Sequence, residues 1–277
     1  MTIKACVIGW PVKHSRSPLI HRYWLEQYAI DGSYTKQAVS PQELAAFLSG
    51  FEARGFAGAN VTVPHKEAAL AAADVADDAA RAIGAANTLW IDNGRLHASN
   101  SDAYGFLANL DEGAPGWDDN KSPALVLGAG GAARAVLHGL IDRGFDEIRL
   151  VNRTKPRAVA LAAHFDGPIE VFDWEERSAL LEHCGLVVNT TTLGMTGETP
   201  LEIDLAGARK QSVVTDLVYS PWKTGLLESA ETLGLRTLDG LGMLLHQAVP
   251  GFEKWFGVRP QVTRELRDLV IAGIEGR

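Results

Sequence analysis

Ala124 to Gly144 reads ALVLGAGGAARAVLHGLIDRG: a short apolar run, a glycine-rich turn, then a stretch with helical spacing of its apolar residues, closed by a further glycine. The apolar run predicts a buried strand, and the periodic stretch predicts a helix ending at Gly144. Between them Gly128, Gly130 and Ala133 fall in the spacing G-x-G-x-x-A. The first glycine permits a tight turn, the second lets the backbone approach a pyrophosphate, and the small third residue lets helix and strand pack closely. The anion would rest on amide hydrogens at the helix start. Such a turn by itself can be no more than a sharp strand-to-helix connection. Here a strand precedes it and a helix follows, as dinucleotide binding requires.

Working outward, EIRLVNR, GLVVNTT, SVVTDLVY and LRTLDG recur downstream with helical stretches between them. Strands alternating with helices predict a parallel, doubly wound sheet. Upstream lie IKACVIG, GANVTVP and NTLWIDNGRLHAS, the last with Asn93-Gly94 between alternating residues, a type I′ hairpin signal. A smaller mixed sheet is expected there. The fold class is therefore α/β in two domains, and Asp111–Pro123 (DEGAPGWDDNKSP), polar and rich in Gly and Pro, is a candidate linker.

The composition narrows the function. The chain has 277 residues, 46% apolar and 22% charged, and 26 basic against 34 acidic side chains give a net charge of −8. That charge repels phosphate backbones and anionic membranes, so neither nucleic acid nor a membrane is expected as a partner. Cys6 and Cys184 stand far apart in apolar surroundings, as buried reduced thiols do, which suits the cytoplasm. The N-terminal apolar run is too short for a signal peptide, and no stretch has membrane-spanning length.

The second strand of the doubly wound half bears on which dinucleotide is bound. A site for NAD usually ends this strand with Asp or Glu, which accepts from the ribose hydroxyls. Here it ends Asn152-Arg153-Thr154-Lys155, with no carboxylate. Arg153 offers a planar fork suited to a 2′-phosphate and Lys155 adds charge, so NADP is favoured; the alternative is a pair of solvated loop cations.

Four polar elements stand in the N-terminal half. In GWPVKHSRSPLIHRYW, Gly9 to Trp24, Ser17 reads as the N-cap of a helix whose first residue is Pro18. Capping explains Ser17 and leaves Ser15 as either a loop serine or a second hydroxyl beside free amides, where a small carboxylate would bind. In GANVTVPHKEAAL a strand from about Gly58 to Val63 is broken by Pro64, and Lys66 opens a helix, where a cation is disfavoured and Glu67 is the type expected. Lys66 is either solvated or functional. Asn60 and Thr62, two apart on that strand, would point to one face. Asp102 in SNSDAYG either caps a helix beginning near Tyr104 or serves a ligand. Asn87 in AANTLW stands at a strand entry, an ordinary turn position. The eight histidines show no metal-ligand spacing, His14, His21 and His65 read as hydrogen-bonding helix or turn residues, and no metal is expected.

Taken together, GWPVKHSRSPLIH, NVTVPHK, AANTL, NSDAYG, LGAGGAARA, NRT, NTTTLGM, DLVYSPWKTGLL and GLGMLLHQAVPGFEKWFG stand in the order seen in shikimate dehydrogenases, over nearly the whole chain. The resemblance implies an N-terminal substrate domain with a mixed sheet and a Rossmann-like NADP domain, with the active site in the cleft between them. It also implies that the chain returns near Gly240, giving residues 1–103 plus 240–277 to the substrate domain and 104–239 to the cofactor domain. On this match Ser15 and Ser17 would bind the substrate carboxylate, and Asn60, Thr62, Asn87, Asp102 and Gln247 the ring hydroxyls. Lys66 and Asp102 would flank the carbon that exchanges hydride, and Tyr219 would close the site. Read without the family, Gln247 is equally a solvated helix position and Tyr219 a core aromatic.

For the cofactor, the resemblance implies contacts from Gly128, Ala129, Gly130, Gly131 and Ala132 in the turn. Asn152, Arg153 and Thr154 would take the adenosine end. Thr190, Met195, Leu217, Gly240 and Met243 would lie along the rest, Gly240-Leu241-Gly242 serving as a crossing segment near the nicotinamide. The implied reaction is reversible, NADPH-dependent reduction of 3-dehydroshikimate to shikimate in aromatic amino-acid biosynthesis, by a monomer or homodimer. A ketone reduction needs a hydride donor and a proton donor near the oxygen, and Lys66, alone or paired with Asp102, can give the proton. One departure is Asn100-Ser101-Asp102-Ala103, where the family commonly has Asn-Thr-Asp-Gly; the hydroxyl and the aspartate survive. The alternatives are a quinate/shikimate dehydrogenase using NAD, an aminoshikimate relative, or a non-catalytic module that senses NADP or shikimate.

Overall fold

The structure, a computed structural model, describes residues 2–276. The chain divides into two units: one takes the residues up to Ser101 together with Gln247–Val270, the other Asp102–His246 and the residues from Ile271 on.

In the first unit β1 (Ile3–Gly9) lies between β2 (Gly32–Ala38) and β3 (Phe56–Val61), parallel to both. With β4 (Val75–Ala76), β5 (Thr88–Asp92) and β6 (Arg95–Ser99) they form a six-stranded sheet of order β2-β1-β3-β5-β6-β4. β5 runs antiparallel to both β3 and β6, so the sheet is mixed, as the sequence predicts. Asn93 and Gly94 have φ of 51° and 72°, the left-handed pair that a type I′ turn needs, and Asp92 pairs with Arg95 across it. Helices α1 (Ser17–Gln27), α2 (Leu44–Ser49), α3 (Lys66–Ala72) and α4 (Asp78–Ile83) connect the strands.

Alternate strand residues Cys6, Ile8, Ala59 and Val61 pack with Phe47 and Phe51 in one core. A second, aromatic cluster joins α1 to the C-terminal part of the unit: Trp24 Nε1 donates to Gln261 O at 3.0 Å, and the Trp24 and Phe252 rings meet edge-on at 5.3 Å. Trp255 Nε1 donates to Leu89 O at 2.9 Å.

The second unit begins with α5 (Asp102–Gly113) and continues β7 (Ala124–Leu127), α6 (Gly131–Asp142), β8 (Ile148–Val151), α7 (Lys155–Ala162) and β9 (Ile169–Phe172). After a 3₁₀ segment, Trp174–Leu181, come β10 (Leu186–Asn189), β11 (Val213–Asp216), α8 (Gly225–Thr232) and β12 (Arg236–Leu238). The sheet order is β12-β11-β10-β7-β8-β9 and every neighbouring pair is parallel. Numbered from β7, this is the 3-2-1-4-5-6 order of a doubly wound dinucleotide fold. Both faces are covered: Val126 packs with Leu137 and Leu140, and Leu125 and Leu127 pack with Leu226 and Leu227. A strand buried on both sides has no use for a polar alternate, which is why ALVL is wholly apolar. α9 (Gly240–Phe256) and α10 (Arg264–Glu275) complete the chain, and the division between units falls within each.

Several local expectations change. The strand expected over Gly58–Val63 is β3, Phe56–Val61; Thr62 lies beyond its end, although its N–H still donates to Ile8 O at 2.9 Å. The candidate linker Asp111–Pro123 lies inside the second unit and is fastened there. Trp117 is buried against Phe145, ring centroids 5.5 Å apart, and Arg143 pairs with both Asp111 and Asp118. Gly240 to Gly242, expected as a crossing segment, form the first turn of α9. Among the described residues no helix is long and apolar enough to cross a membrane.

Candidate functional site

At the start of α1 the roles of the two serines are exchanged relative to expectation. Arg16 holds the N-cap position without a side-chain cap, and Ser17 is already helical. The hydroxyl that meets the helix amides belongs to Ser15, whose Oγ accepts from the Ser17 N–H at 3.3 Å. The exchange follows from the turn before it, where the Ser15 N–H bonds Val12 O at 3.2 Å and folds Ser15 back over the helix end. Ser15 Oγ also lies 3.3 Å from Ser17 Oγ. Two hydroxyls therefore stand together at the positive end of an 11-residue helix, a setting that favours a carboxylate.

Asn60 and Asn87 come together because β3 and β5 are antiparallel with Asn60 opposite Thr88. Asn60 Nδ2 donates to Asn87 O at 3.2 Å and to Thr88 Oγ1 at 3.4 Å, and Asn60 Oδ1 accepts from the Tyr34 hydroxyl at 2.6 Å. Asn87 Oδ1 accepts from the Ser101 N–H at 2.9 Å and the Thr88 hydroxyl at 2.9 Å. The Ser101 hydroxyl donates to Gln247 O at 2.8 Å, so Gln247 is held to the same cluster through its backbone. Asn60, Asn87 and Ser101 are all buried. A buried polar group left unpaired costs roughly 1–3 kcal/mol, so this degree of pairing marks a deliberately polar interior. Tyr34 was not singled out in the sequence, and Ser101 was noted only as a departure from the family pattern, without a role.

Lys66 is the first residue of α3, half-buried, with Glu67 beside it in the first turn. Its carbonyl accepts from the Ala86 N–H at 2.9 Å, and the buried His65 before it is anchored by Nε2 at 2.7 Å from Val39 O. His65 thus behaves as the hydrogen-bonding turn residue expected. His21 does not: it is fully buried and neither ring nitrogen has a partner. Thr62 is half-buried.

In the second unit α5 begins at Asp102 itself rather than near Tyr104, which places a buried carboxylate in the first turn of a 12-residue helix, the favourable end for a negative charge.

The glycine-rich turn has the geometry its spacing predicts. Gly128 has φ of 108°, and a Cβ there would meet Thr190 Oγ1 at 2.7 Å, so no other residue fits. Gly130 is the N-cap of α6, and a Cβ on Gly130 or Gly131 would meet nothing within 4 Å. The absence of a side chain there leaves open room above the helix amides of Gly131 and Ala132, the cradle a pyrophosphate requires. Asn152 Oδ1 fixes the turn by accepting from the Ala129 N–H at 3.1 Å, and its Nδ2 donates to Thr154 O at 2.9 Å. Arg153 is exposed and lines a cavity of about 430 Å³ with Asn152, Trp174, Arg177 and Thr191. Lys155 is not in that cavity's wall; its ammonium pairs with Asp173 at 2.9 Å.

Ends of the next strands complete this half. Thr190 Oγ1 donates to Leu127 O at 2.7 Å, and the Leu217 N–H donates to Asn189 O at 2.9 Å. Ala129, Leu217 and Met243 pack against one apolar core. Gly240 is where the backbone of Leu217 passes closest: a Cβ there would lie 2.4 Å from Leu217 O. Met195 is exposed on the loop after β10, tied at Thr196 N–H to Ser220 O at 2.8 Å. Tyr219 is half-buried three residues after β11. Its segment is held by the buried carboxylate of Asp216, which accepts from Val218 N–H at 3.0 Å, Asn189 Nδ2 at 2.9 Å and the Thr224 hydroxyl at 2.7 Å. Burial pushes the Asp216 carboxyl above its ordinary pKa and those three donors oppose the shift. Neither Asn189 nor Asp216 was singled out in the sequence, although a polar residue at the end of a parallel strand is a signal that could have found them.

A doubly wound dinucleotide unit with an open glycine cradle and an arginine in place of the usual ribose-binding carboxylate defines a nicotinamide-dependent oxidoreductase that takes NADP. The chain belongs to the shikimate dehydrogenase family. Models of that family match it as the shikimate dehydrogenase substrate binding domain over residues 7–89, as shikimate/quinate 5-dehydrogenase over 115–197, and as the shikimate 5′-dehydrogenase C-terminal domain over 240–264. It is 57% identical over 272 residues to shikimate dehydrogenase (NADP(+)) of Brucella abortus, covering 97% of this chain and 94% of that one. Among solved structures it resembles shikimate 5-dehydrogenase of Thermus thermophilus in complex with NADP(H) and shikimate, at 35% identity and a TM-score of 0.86 over 99% of each chain. Quinate dehydrogenase of Corynebacterium glutamicum in complex with NAD matches at 30% identity and a TM-score of 0.91, covering 98% of this chain and 99% of that one.

Proposed function

We propose that this protein catalyses the reversible, NADPH-dependent reduction of 3-dehydroshikimate to shikimate, a step in aromatic amino-acid biosynthesis. The observation that carries the reading is the Ser15–Ser17 hydroxyl pair, 3.3 Å apart at the start of α1, in a family of dehydrogenases whose substrates are ring carboxylates. Both hydroxyls can turn to donate to a carboxylate, and the helix end adds its positive partial charge.

The roles of the remaining residues follow from their donor and acceptor capacity. Asn60 can accept from a ring hydroxyl, and Asn87, whose Oδ1 is held by Ser101 and Thr88, stands beside it for a second one. Thr62, Asp102 and Gln247 complete the hydroxyl-binding set, and Tyr219 closes over the substrate. Lys66, alone or paired with Asp102, gives its proton to the ketone oxygen in reduction and takes it back in oxidation. NADPH, when bound, supplies the hydride. The turn from Gly128 to Ala132 would hold its pyrophosphate, Arg153 with Asn152 and Thr154 its 2′-phosphate, and Thr190, Met195, Leu217, Gly240 and Met243 its remainder.

The test pairs shikimate or quinate with NADP or NAD, four mixtures in all, and follows nicotinamide reduction by absorbance. Turnover chiefly with shikimate and NADP is expected. Comparable rates with quinate or NAD would make it a broader quinate/shikimate dehydrogenase, and no turnover from protein that still binds NADP would make it a sensor.

A further inference from the structure

Tyr34, on β2, lies outside every motif that suggested function, yet its buried hydroxyl is a polar junction of the first unit. It donates to Asn60 Oδ1 at 2.6 Å, and the Ser17 hydroxyl is its other polar neighbour. Behind it the His21 imidazole lies face to face with the Tyr34 ring, centroids 3.9 Å apart and planes within 3°. Burial pushes the His21 pKa down to about 3, so the ring is a neutral flat plate. Asn60 is the side chain that would favour its charged form, but neither imidazole nitrogen makes a hydrogen bond with it.

Counting the capacity of Asn60 gives its side chain a definite polarity. Asn87 O can only accept, so it requires the amide nitrogen of Asn60 on its side. The oxygen then faces Tyr34, whose hydroxyl must donate. Both amide hydrogens are thereby directed at Asn87 O and Thr88 Oγ1, and one of the two lone pairs on Oδ1 is filled. One acceptor lone pair remains for a ligand.

We infer that Tyr34, supported by the stacked His21, is a positioning residue for the substrate: it holds Asn60 Oδ1 as an acceptor, so that this point of the site takes a ring hydroxyl and disfavours a keto or ether oxygen. The inference rests on the reading that Asn60 binds a substrate hydroxyl. It gives the buried stack, in which the imidazole nitrogens go unpaired, a purpose that packing alone does not.

The experiment is a two-residue cycle of Tyr34→Phe, Asn60→Ala and the double variant, with kcat and KM for shikimate and for NADP, and thermal unfolding as a check on folding. Tyr34→Phe is expected to raise KM for shikimate roughly 5- to 20-fold, the scale of one hydrogen bond, with kcat and the NADP KM within about twofold. In the Asn60→Ala background the same change is expected to alter the shikimate KM by less than about twofold, because its effect runs through Asn60. A loss that adds fully to that of Asn60→Ala would show a merely structural role and overturn the inference. So would a normal KM in Tyr34→Phe beside a raised one in Asn60→Ala. An unchanged KM in Asn60→Ala would instead remove Asn60 from the substrate site, and the inference with it. His21→Leu, which takes away the plate and no hydrogen bond, is expected to raise the shikimate KM only where Asn60 is present; an equal rise without Asn60 would count against the link even if Tyr34→Phe fails to fold.

Discussion

At the residue scale the chemistry turns on Lys66 and Arg153, and each role has a distinct kinetic signature. A proton donor acts only in the transition state, so Lys66→Ala is expected to lower kcat by roughly 10²- to 10⁴-fold with little change in KM for shikimate. An undiminished kcat in steady-state assays would take Lys66 out of the mechanism. Arg153→Ala is expected to raise the KM for NADP about tenfold or more and leave that for NAD nearly unchanged, since only the 2′-phosphate contact is lost. Equal losses with both cofactors would point to a damaged fold instead. Single residues with a local reason to be odd were legible in the sequence: a lysine at a helix start, a serine pair before a proline, an arginine where a carboxylate is usual. Tyr34 was not, because its meaning lies in Asn60, 26 residues away and two strands over in the sheet. The role of Ser101 was likewise hidden, the carbonyl that its hydroxyl meets belonging to Gln247, 146 residues on.

At the scale of elements the glycine turn and the strand ends carry the cofactor half, and they fail in opposite ways. Gly130 has φ of −100° and open space around a Cβ, so Gly130→Ala is expected to fold with an unchanged Tm yet raise the KM for NADP tenfold or more, its methyl group standing in the pyrophosphate cradle. A normal KM would show that the pyrophosphate lies elsewhere. Asp216→Ala leaves three buried donors, Asn189 Nδ2, Val218 N–H and the Thr224 hydroxyl, without their acceptor. That change is expected to cost about 2–4 kcal/mol and lower Tm by roughly 5–10 °C, measured by calorimetry. Loss of cofactor affinity at an unaltered Tm would mean that Asp216 serves the ligand directly. Strands, helices and the hairpin were legible because their signals are local: period, glycine spacing, Asn-Gly. Element ends were less so. α5 begins at Asp102, two residues earlier than expected, while α1 begins at Ser17 and β3 stops at Val61, because a hydrogen bond to Ser15 and the pairing of β1 and β3 settle what propensity leaves open.

At the scale of the molecule the chain order and the folded units do not coincide. The first unit ends at Ser101 and resumes at Gln247, and the residues it recovers are not peripheral. Phe252 is fully buried against His21 and Trp24, Trp255 bonds Leu89 O, and Gln261 O takes the Trp24 indole hydrogen. A buried aromatic ring lost from such a cluster costs roughly 3–5 kcal/mol, of the order of a whole domain's stability. No local pattern in the first hundred residues announces this debt to the C-terminus; composition and periodicity report what a segment can form, not which distant segment closes its core. The consequence is that the aromatic core of the unit carrying Asn60 and Asn87 cannot be closed until α9 has been made, whereas all six strands of the cofactor sheet lie between Asp102 and His246. A chain ending at His246 is therefore expected to keep a folded NADP-binding unit on an unfolded N-terminal segment. Limited proteolysis read by mass spectrometry should place early cuts before Ser101 and spare β7 to β12, and NADP should slow cleavage further within the spared region. Equal protection of the first hundred residues would show that their core closes without Phe252 and Trp255, and that the C-terminal helices only decorate it.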